Sequence, residues 1–177
     1  MDRMETDRLI LRRWEEGDLH DLHRYARDAE VALNAGWQTH TMQEESKAML
    51  QSLIKSEYAW AIVLKKTGEV IGHIKLTPNA NKGRNYAKSV SYALSKEHWG
   101  CGYMTEALGA VVKYAFEEIH VDMLTAFRYP ENIASGRVLE KCGFEQECTL
   151  PGSIRRVDGS SCDAVCYLME KADFERT

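Results

Sequence analysis

Between Met104 and Ile119 a run of apolar residues falls at 104, 107, 108, 111, 112, 115, 116 and 119. Steps of three and four over more than four turns keep these side chains on one face, so the spacing predicts a long amphipathic helix. Upstream, RLILRRW (8–14) alternates apolar and basic residues, the period of a half-exposed strand. GDLHDLHRYARD reads as a helix with Asp18 as N-cap and a stripe of Leu19, Leu22 and Ala26. Thr41 with Glu44 suggests a capping box ahead of a second helix, QEESKAMLQSLIKS, which leaves AGWQTH as a loop. The apolar runs AWAIVLK (59–65) and VIGHIKL (70–76), joined by KTGE, predict an antiparallel strand pair. NANKGRN (79–85) reads as a polar turn, followed by a third strand, KSVSYALS (88–95).

Beyond the long helix, MLTAFRY is strand-like and YPEN a turn, and Asn132 is placed to cap a short helix, IASGRVLEKC, that stops at Gly143. FEQECTL and CDAVCYLME then read as a closing strand pair, with RRVDG (155–159) an exposed turn between them. The order strand, long helix, strand is a βαβ unit, which predicts parallel strands and a right-handed crossover. The class expected is mixed α/β.

Length and composition narrow the picture. A chain of 177 residues, 44% hydrophobic and 28% charged, fits one domain spanning 1–177. No stretch approaches the roughly 18 apolar residues a membrane span requires, so a soluble protein with no membrane partner is expected. The charged start, MDRMETDRLI, lacks the apolar core of a signal peptide, which makes the cytoplasm the default location. A net charge of −4 argues against nucleic acid as partner and tolerates a cationic amine better. Five scattered cysteines, at 101, 142, 148, 162 and 166, suggest buried thiols rather than a disulfide framework. CDAVC suits a strand, and no metal site is expected from it.

One stretch carries chemistry. HWGCGYMTEAL (98–108) sets Gly100 and Gly102 around Cys101 immediately before the long helix. A helix start leaves backbone N–H groups without intrahelical partners, and glycines let a ligand approach them closely, so a pyrophosphate would fit. The spacing is not a Walker loop, and Thr105 stands where a GxGxxG motif needs its third glycine.

This stretch resembles the acetyl-CoA pyrophosphate loop of the GNAT N-acetyltransferase superfamily, in which Gln or Arg is followed by two residues, Gly, one residue, then Gly or Ala. Aligned on Gly102, Trp99 replaces the first position and Met104 the last. The Trp-Gly-x-Gly-Tyr form is typical of the branch resembling ribosomal-protein N-terminal (alanine/serine) acetyltransferases. METDRLILRRWEEGDL, WAIVLKKTGEVIGHIKL and ENIASGRVLEKCGFEQE resemble the same branch, so the likeness covers nearly the whole chain.

The resemblance implies a central, mostly antiparallel twisted sheet flanked by helices, with one splayed parallel pair formed by SVSYAL and MLTAF. The pantetheine arm would lie in that gap as if it were an extra strand. Acetyl-CoA would be the cosubstrate, contacted by Trp99, Gly100, Cys101, Gly102, Tyr103, Met104 and Thr105, with a backbone N–H near Leu94 or Ser95 polarising the thioester. Asn132 would contact pantetheine, and Ser135 would protonate or stabilise the leaving thiolate. Both residues also read simply as parts of a helix cap.

A general base is harder to name. Glu106 lies in a first helical turn, where acids are favoured anyway, and His73 and His98 have ordinary structural readings. An α-amine, with reference pKa 7.7–8.0, is roughly a tenth neutral at pH 7, whereas lysine at about 10.4 is almost wholly charged. The expected acceptor is therefore a protein N-terminus such as that of a ribosomal protein. A small-molecule amine (polyamine or antibiotic) and a noncatalytic acyl-CoA sensor are the alternatives. Trp14, Trp37, Trp60 and Tyr92 are candidates for an acceptor pocket, Trp37 the best placed, while core packing is the commoner fate for residues such as Trp60 and Tyr92. RRVDG borders either the acceptor site or a homodimer contact.

Overall fold

The computed structural model describes residues 3–79 and 86–176. Among the described residues eight strands form one mixed sheet in the order β1-β2-β3-β4-β5-β6-β8-β7. Two compact units divide the chain, the first Met1–Lys75 with Tyr92–Ala107, the second Leu76–Ser91 with Leu108–Thr177. Among the described residues no helix is long and apolar enough to cross a membrane.

In the first unit, β1 (Met4–Glu5) turns back antiparallel onto β2 (Leu9–Arg12), which pairs antiparallel with β3 (Ala59–Leu64). β3 in turn pairs antiparallel with β4 (Val70–Pro78), as the two apolar runs predict. All six residues of β3 are buried, which explains why the strand is a continuous apolar run without alternation. Helices α1 (Leu19–Ala26), α2 (Ala29–Ala35) and α3 (Gln43–Lys55) supply Leu22, Tyr25, Val31, Leu50 and Leu53 to one core that also takes in Ala59, Ala61, Val63 and Val70.

Three local expectations change here. Asp18 occupies the N-cap position of α1 but makes no cap hydrogen bond. Its buried carboxylate instead receives both Arg12 Nη atoms at 2.8 Å, a forked ion pair stronger than a cap bond. The box before α3 is formed by Met42 and Glu45 rather than Thr41 and Glu44, because the Glu45 carboxylate reaches the N–H groups of both Met42 and Thr41. The unexpected α2 is capped by Asp28, which accepts from Glu30 and Val31 N–H, and it ends at Gly36 with φ of 82°.

β5 (Ala87–Leu94), which belongs to the second unit as far as Ser91, runs parallel to β6 (Met123–Arg128), registered from Ala87↔Met123 to Ser89↔Thr125. Registry covers only three residue pairs, although both strands run on. The connecting helix α4 (Tyr103–Glu117) buries Met104, Ala107, Leu108, Val111, Val112, Ala115 and Phe116, the stripe expected from the spacing. After α5 (Ile133–Lys141), the long hairpin β7 (Glu145–Arg155) and β8 (Ser161–Glu170) closes the sheet through antiparallel pairing of β8 with β6. Phe174 of α6 (Lys171–Phe174) stacks on Phe116 with ring centroids 4.9 Å apart. Of the stretch expected as a polar turn, residues 80–85 lie outside those described.

The cysteines correct another expectation. All five are thiols rather than disulfides, yet Cys101 is exposed and the others are only half-buried. They sit at a loop, a helix end and strand faces that are not the core. Burial is deepest in effect at Cys142, where it pushes the thiol pKa up to about 11.

Candidate active site

The end of β5 is gripped from two directions. The Ser95 N–H donates to the Ile71 carbonyl at 2.7 Å, and the Leu94 carbonyl accepts the Trp99 indole N–H at 2.8 Å. These groups belong to one peptide unit, whose planarity makes its N–H and C=O point in opposite directions, so two bonds fix its orientation. Gly72 permits the approach. A Cβ there would lie 2.3 Å from the Ala93 carbonyl oxygen and 3.0 Å from Leu94 Cα.

From the strand end the chain makes a single 3-10 turn (Lys96–His98) and enters the two-glycine loop. Gly100 and Gly102 have φ of 74° and 78°, values that residues with a Cβ adopt only with strain. Beside the Cβ position of Gly100 there is open space to 4 Å. α4 begins at Tyr103, and its first i to i−4 bond runs from Glu106 N–H to the Gly102 carbonyl at 3.1 Å. The preceding first-turn N–H groups lack intrahelical acceptors by helix geometry, and the helix dipole favours an anion beside them. Glycines with left-handed φ, open space and a helix start together fit a diphosphate.

In the second unit, Asn132 and Ser135 are brought together by the α5 cap: Asn132 Oδ1 accepts from the Ser135 N–H at 3.1 Å. The oxygen can accept a second bond, so the Asn132 side chain is still able to accept as well as to donate through its NH2. Helix α5 sits tightly on the strands beneath. A Cβ at Gly136 would meet Arg128 Nε at 2.7 Å and Tyr167 Oη at 2.8 Å. Arg128 Nε donates to Tyr167 Oη, which donates to Glu140. In the RRVDG turn, Arg156 pairs with Glu131 and stacks 4.7 Å from the Tyr129 ring centroid.

Residues 8–145 match the acetyltransferase (GNAT) domain family. The chain belongs to the GNAT acetyltransferase family. Among relatives of this GNAT protein, the uncharacterized N-acetyltransferase YoaA of Bacillus subtilis is 31% identical over 152 residues, 83% of this chain and 85% of the relative. The [ribosomal protein uS5]-alanine N-acetyltransferase of Escherichia coli is 27% identical over 160 residues, 82% of this chain and 79% of that enzyme. A crystal structure of a GNAT-family acetyltransferase from Bacillus anthracis superposes with a TM-score of 0.87 at 22% identity, covering 97% of this chain and 99% of that one. The protein is thus an acetyl-CoA-dependent N-acetyltransferase of mixed α/β fold.

For this GNAT enzyme the three candidate bases have specific settings. Glu106 accepts from Thr6 Oγ1 at 2.5 Å, Arg8 N–H at 2.8 Å and Arg8 Nε at 2.7 Å. Burial alone would raise its pKa, but these donors outweigh burial and lower it. His73 is buried, with Nδ1 2.9 Å from Tyr25 Oη, Trp37 stacked on its ring at 5.8 Å and Trp14 edge-on at 6.4 Å. Burial, assisted by the Lys75 charge, pushes its pKa down to about 3. His98 rests against Tyr103, ring centroids 6.0 Å apart, with Nδ1 buried and unpaired. Trp60 is wholly buried, and Trp37 and Tyr92 are half-buried.

Sequence reasoning passed over Thr6, Arg8 and Gly72. Arg8 read as one more basic residue on an alternating strand, and its partners lie 93 and 98 residues away. The glycine of VIGHIKL inside a strand was the available signal for a close backbone approach.

Proposed function

We propose that this enzyme transfers acetyl groups to the α-amine of a protein N-terminus, with ribosomal proteins as the candidate class. The observation that carries the reading is the state of two base candidates. His73 is buried and neutral, and Glu106 is committed to Thr6 and Arg8. An acceptor that is already partly neutral at pH 7 suits such a site, and an α-amine is one. The likeness to the uS5-alanine enzyme supports the same choice.

Acetyl-CoA supplies the thioester, held at its pyrophosphate by the backbone of residues 100–105 with Trp99 shaping the loop. Because Ser95 N–H is engaged with Ile71, Leu94 N–H is the preferred donor to the thioester carbonyl. Asn132 contributes its NH2 to the pantetheine arm, and Ser135 delivers the proton to the departing sulfur.

The test is the pH dependence of kcat/KM for peptides whose α-amines differ in pKa. The apparent pKa should follow the acceptor and should be the same in His98→Gln. A profile governed by one enzyme group near pH 6–7, whatever the acceptor, would reveal a base and remove the argument for α-amines. Faster turnover of polyamines or lysine would move the function to those amines, and binding without transfer would favour the sensor.

A further inference from the structure

The β1-β2 turn reaches the two-glycine loop through one side chain. Arg8 Nη1 donates to the Cys101 carbonyl at 2.9 Å, its Nε pairs with Glu106 at 2.7 Å, and its guanidinium lies 4.4 Å from the Tyr103 ring centroid. The turn itself is fixed, since Thr6 N–H donates to the Leu9 carbonyl and Leu9 N–H to Thr6 Oγ1. The Thr6 hydroxyl and the Arg8 N–H then donate to the same Glu106 oxygen.

These contacts do two things to the loop. Holding the Cys101 carbonyl toward Arg8 turns the Gly102 N–H of the same planar peptide to the opposite side. Pairing with Glu106 neutralises a carboxylate in the first turn of α4, where it would otherwise occupy the favourable dipole field and repel a diphosphate. A lysine could supply the charge but not the rigid fork that reaches a carbonyl and a carboxylate together.

We propose that Arg8 is a positioning residue for the acyl carrier: through the Cys101 carbonyl and Glu106 it sets the loop backbone in the shape that receives the pyrophosphate. This rests on the loop being the diphosphate site, and it adds a dependence of cofactor affinity on the N-terminal turn. Arg8 acts through the loop rather than on the reacting atoms, so the acetyl-bearing end of the carrier is indifferent to it.

The experiment compares wild type, Arg8→Lys and Arg8→Ala by calorimetric titration with CoA. It adds kcat/KM for acetyl-CoA against acetyl-pantetheine, which carries the same thioester arm without the diphosphate. Both variants should bind CoA about tenfold more weakly, as expected for losing one fixed polar contact, and the acetyl-CoA to acetyl-pantetheine ratio should fall alike. Wild-type affinity in Arg8→Lys would show that charge alone suffices and overturn the proposal. So would equal losses for both thioesters, which would mark general damage to the fold. If wild type itself does not bind CoA, the loop reading fails, whereas binding with unchanged ratios removes only the role of Arg8.

Discussion

Replacing Gly72 by alanine tests whether the end of β5 is as rigid as its contacts imply. The new Cβ would stand 2.3 Å from the Ala93 carbonyl oxygen, about 1 Å short of ordinary contact, and both opposing atoms closest to it are backbone. No side-chain rotation relieves the clash, so the strand end must move. Overpacking of this kind costs about 2 kcal/mol, equivalent to a Tm lower by roughly 4–8 °C in a chain of this size. The same shift displaces Leu94 N–H by up to about 1 Å, enough to reduce kcat by about 10²-fold when that N–H polarises the thioester. Thermal unfolding and saturating kinetics with acetyl-CoA measure both. An unchanged Tm would show that the strand end yields freely. A lowered Tm with wild-type kcat would separate the clash from the chemistry and refute the role given to Leu94.

Gly109 is the matched control: it lies inside α4 with nothing within 4 Å of its Cβ position, so Gly109→Ala should stabilise by about 0.5–1 kcal/mol in denaturant unfolding, and a loss would refute this. Under the proposed role of its hydroxyl at the leaving sulfur, Ser135→Ala should slow acetyl transfer while leaving CoA affinity within about twofold, and equal turnover would remove Ser135 from the reaction. Trp99→Phe keeps a ring but leaves the Leu94 carbonyl without its indole donor, a cost of about 0.5–1.5 kcal/mol in thermal unfolding, and no change would show that the bond is not holding the strand. Burial keeps His73 neutral to about pH 3, whereas an unfolded chain takes up that proton near pH 6.5. Stability should therefore fall as pH drops below about 6.5, by up to about 1.4 kcal/mol per unit, and His73→Gln should flatten the slope between pH 6 and 4. Identical slopes would show that His73 is protonated in the folded state.

Where the controlling interactions were local, the sequence was readable. The 3–4 spacing from Met104 to Phe116 predicted the buried face of α4, and Asn132 capped α5 where an N-cap was expected. Helix α2 escaped because seven residues are too few to establish a period. The box before α3 was misplaced by one residue, since several acids near a helix start can serve and only geometry selects Glu45. The loop was visible through its glycines, but its support was not. Trp99 gives its indole N–H to the Leu94 carbonyl, and Arg8 reaches across about a hundred residues to Cys101 and Glu106. Pairings at such separations leave no periodicity in the chain.

The most direct measurement offers one peptide carrying both a free N-terminal α-amine and an internal lysine to the enzyme with acetyl-CoA, and locates the acetyl group by fragment-ion mass spectrometry. The account predicts acetylation at the α-amine, with the lysine modified far more slowly. Acetylation at the lysine, or none despite measurable CoA binding, would contradict it.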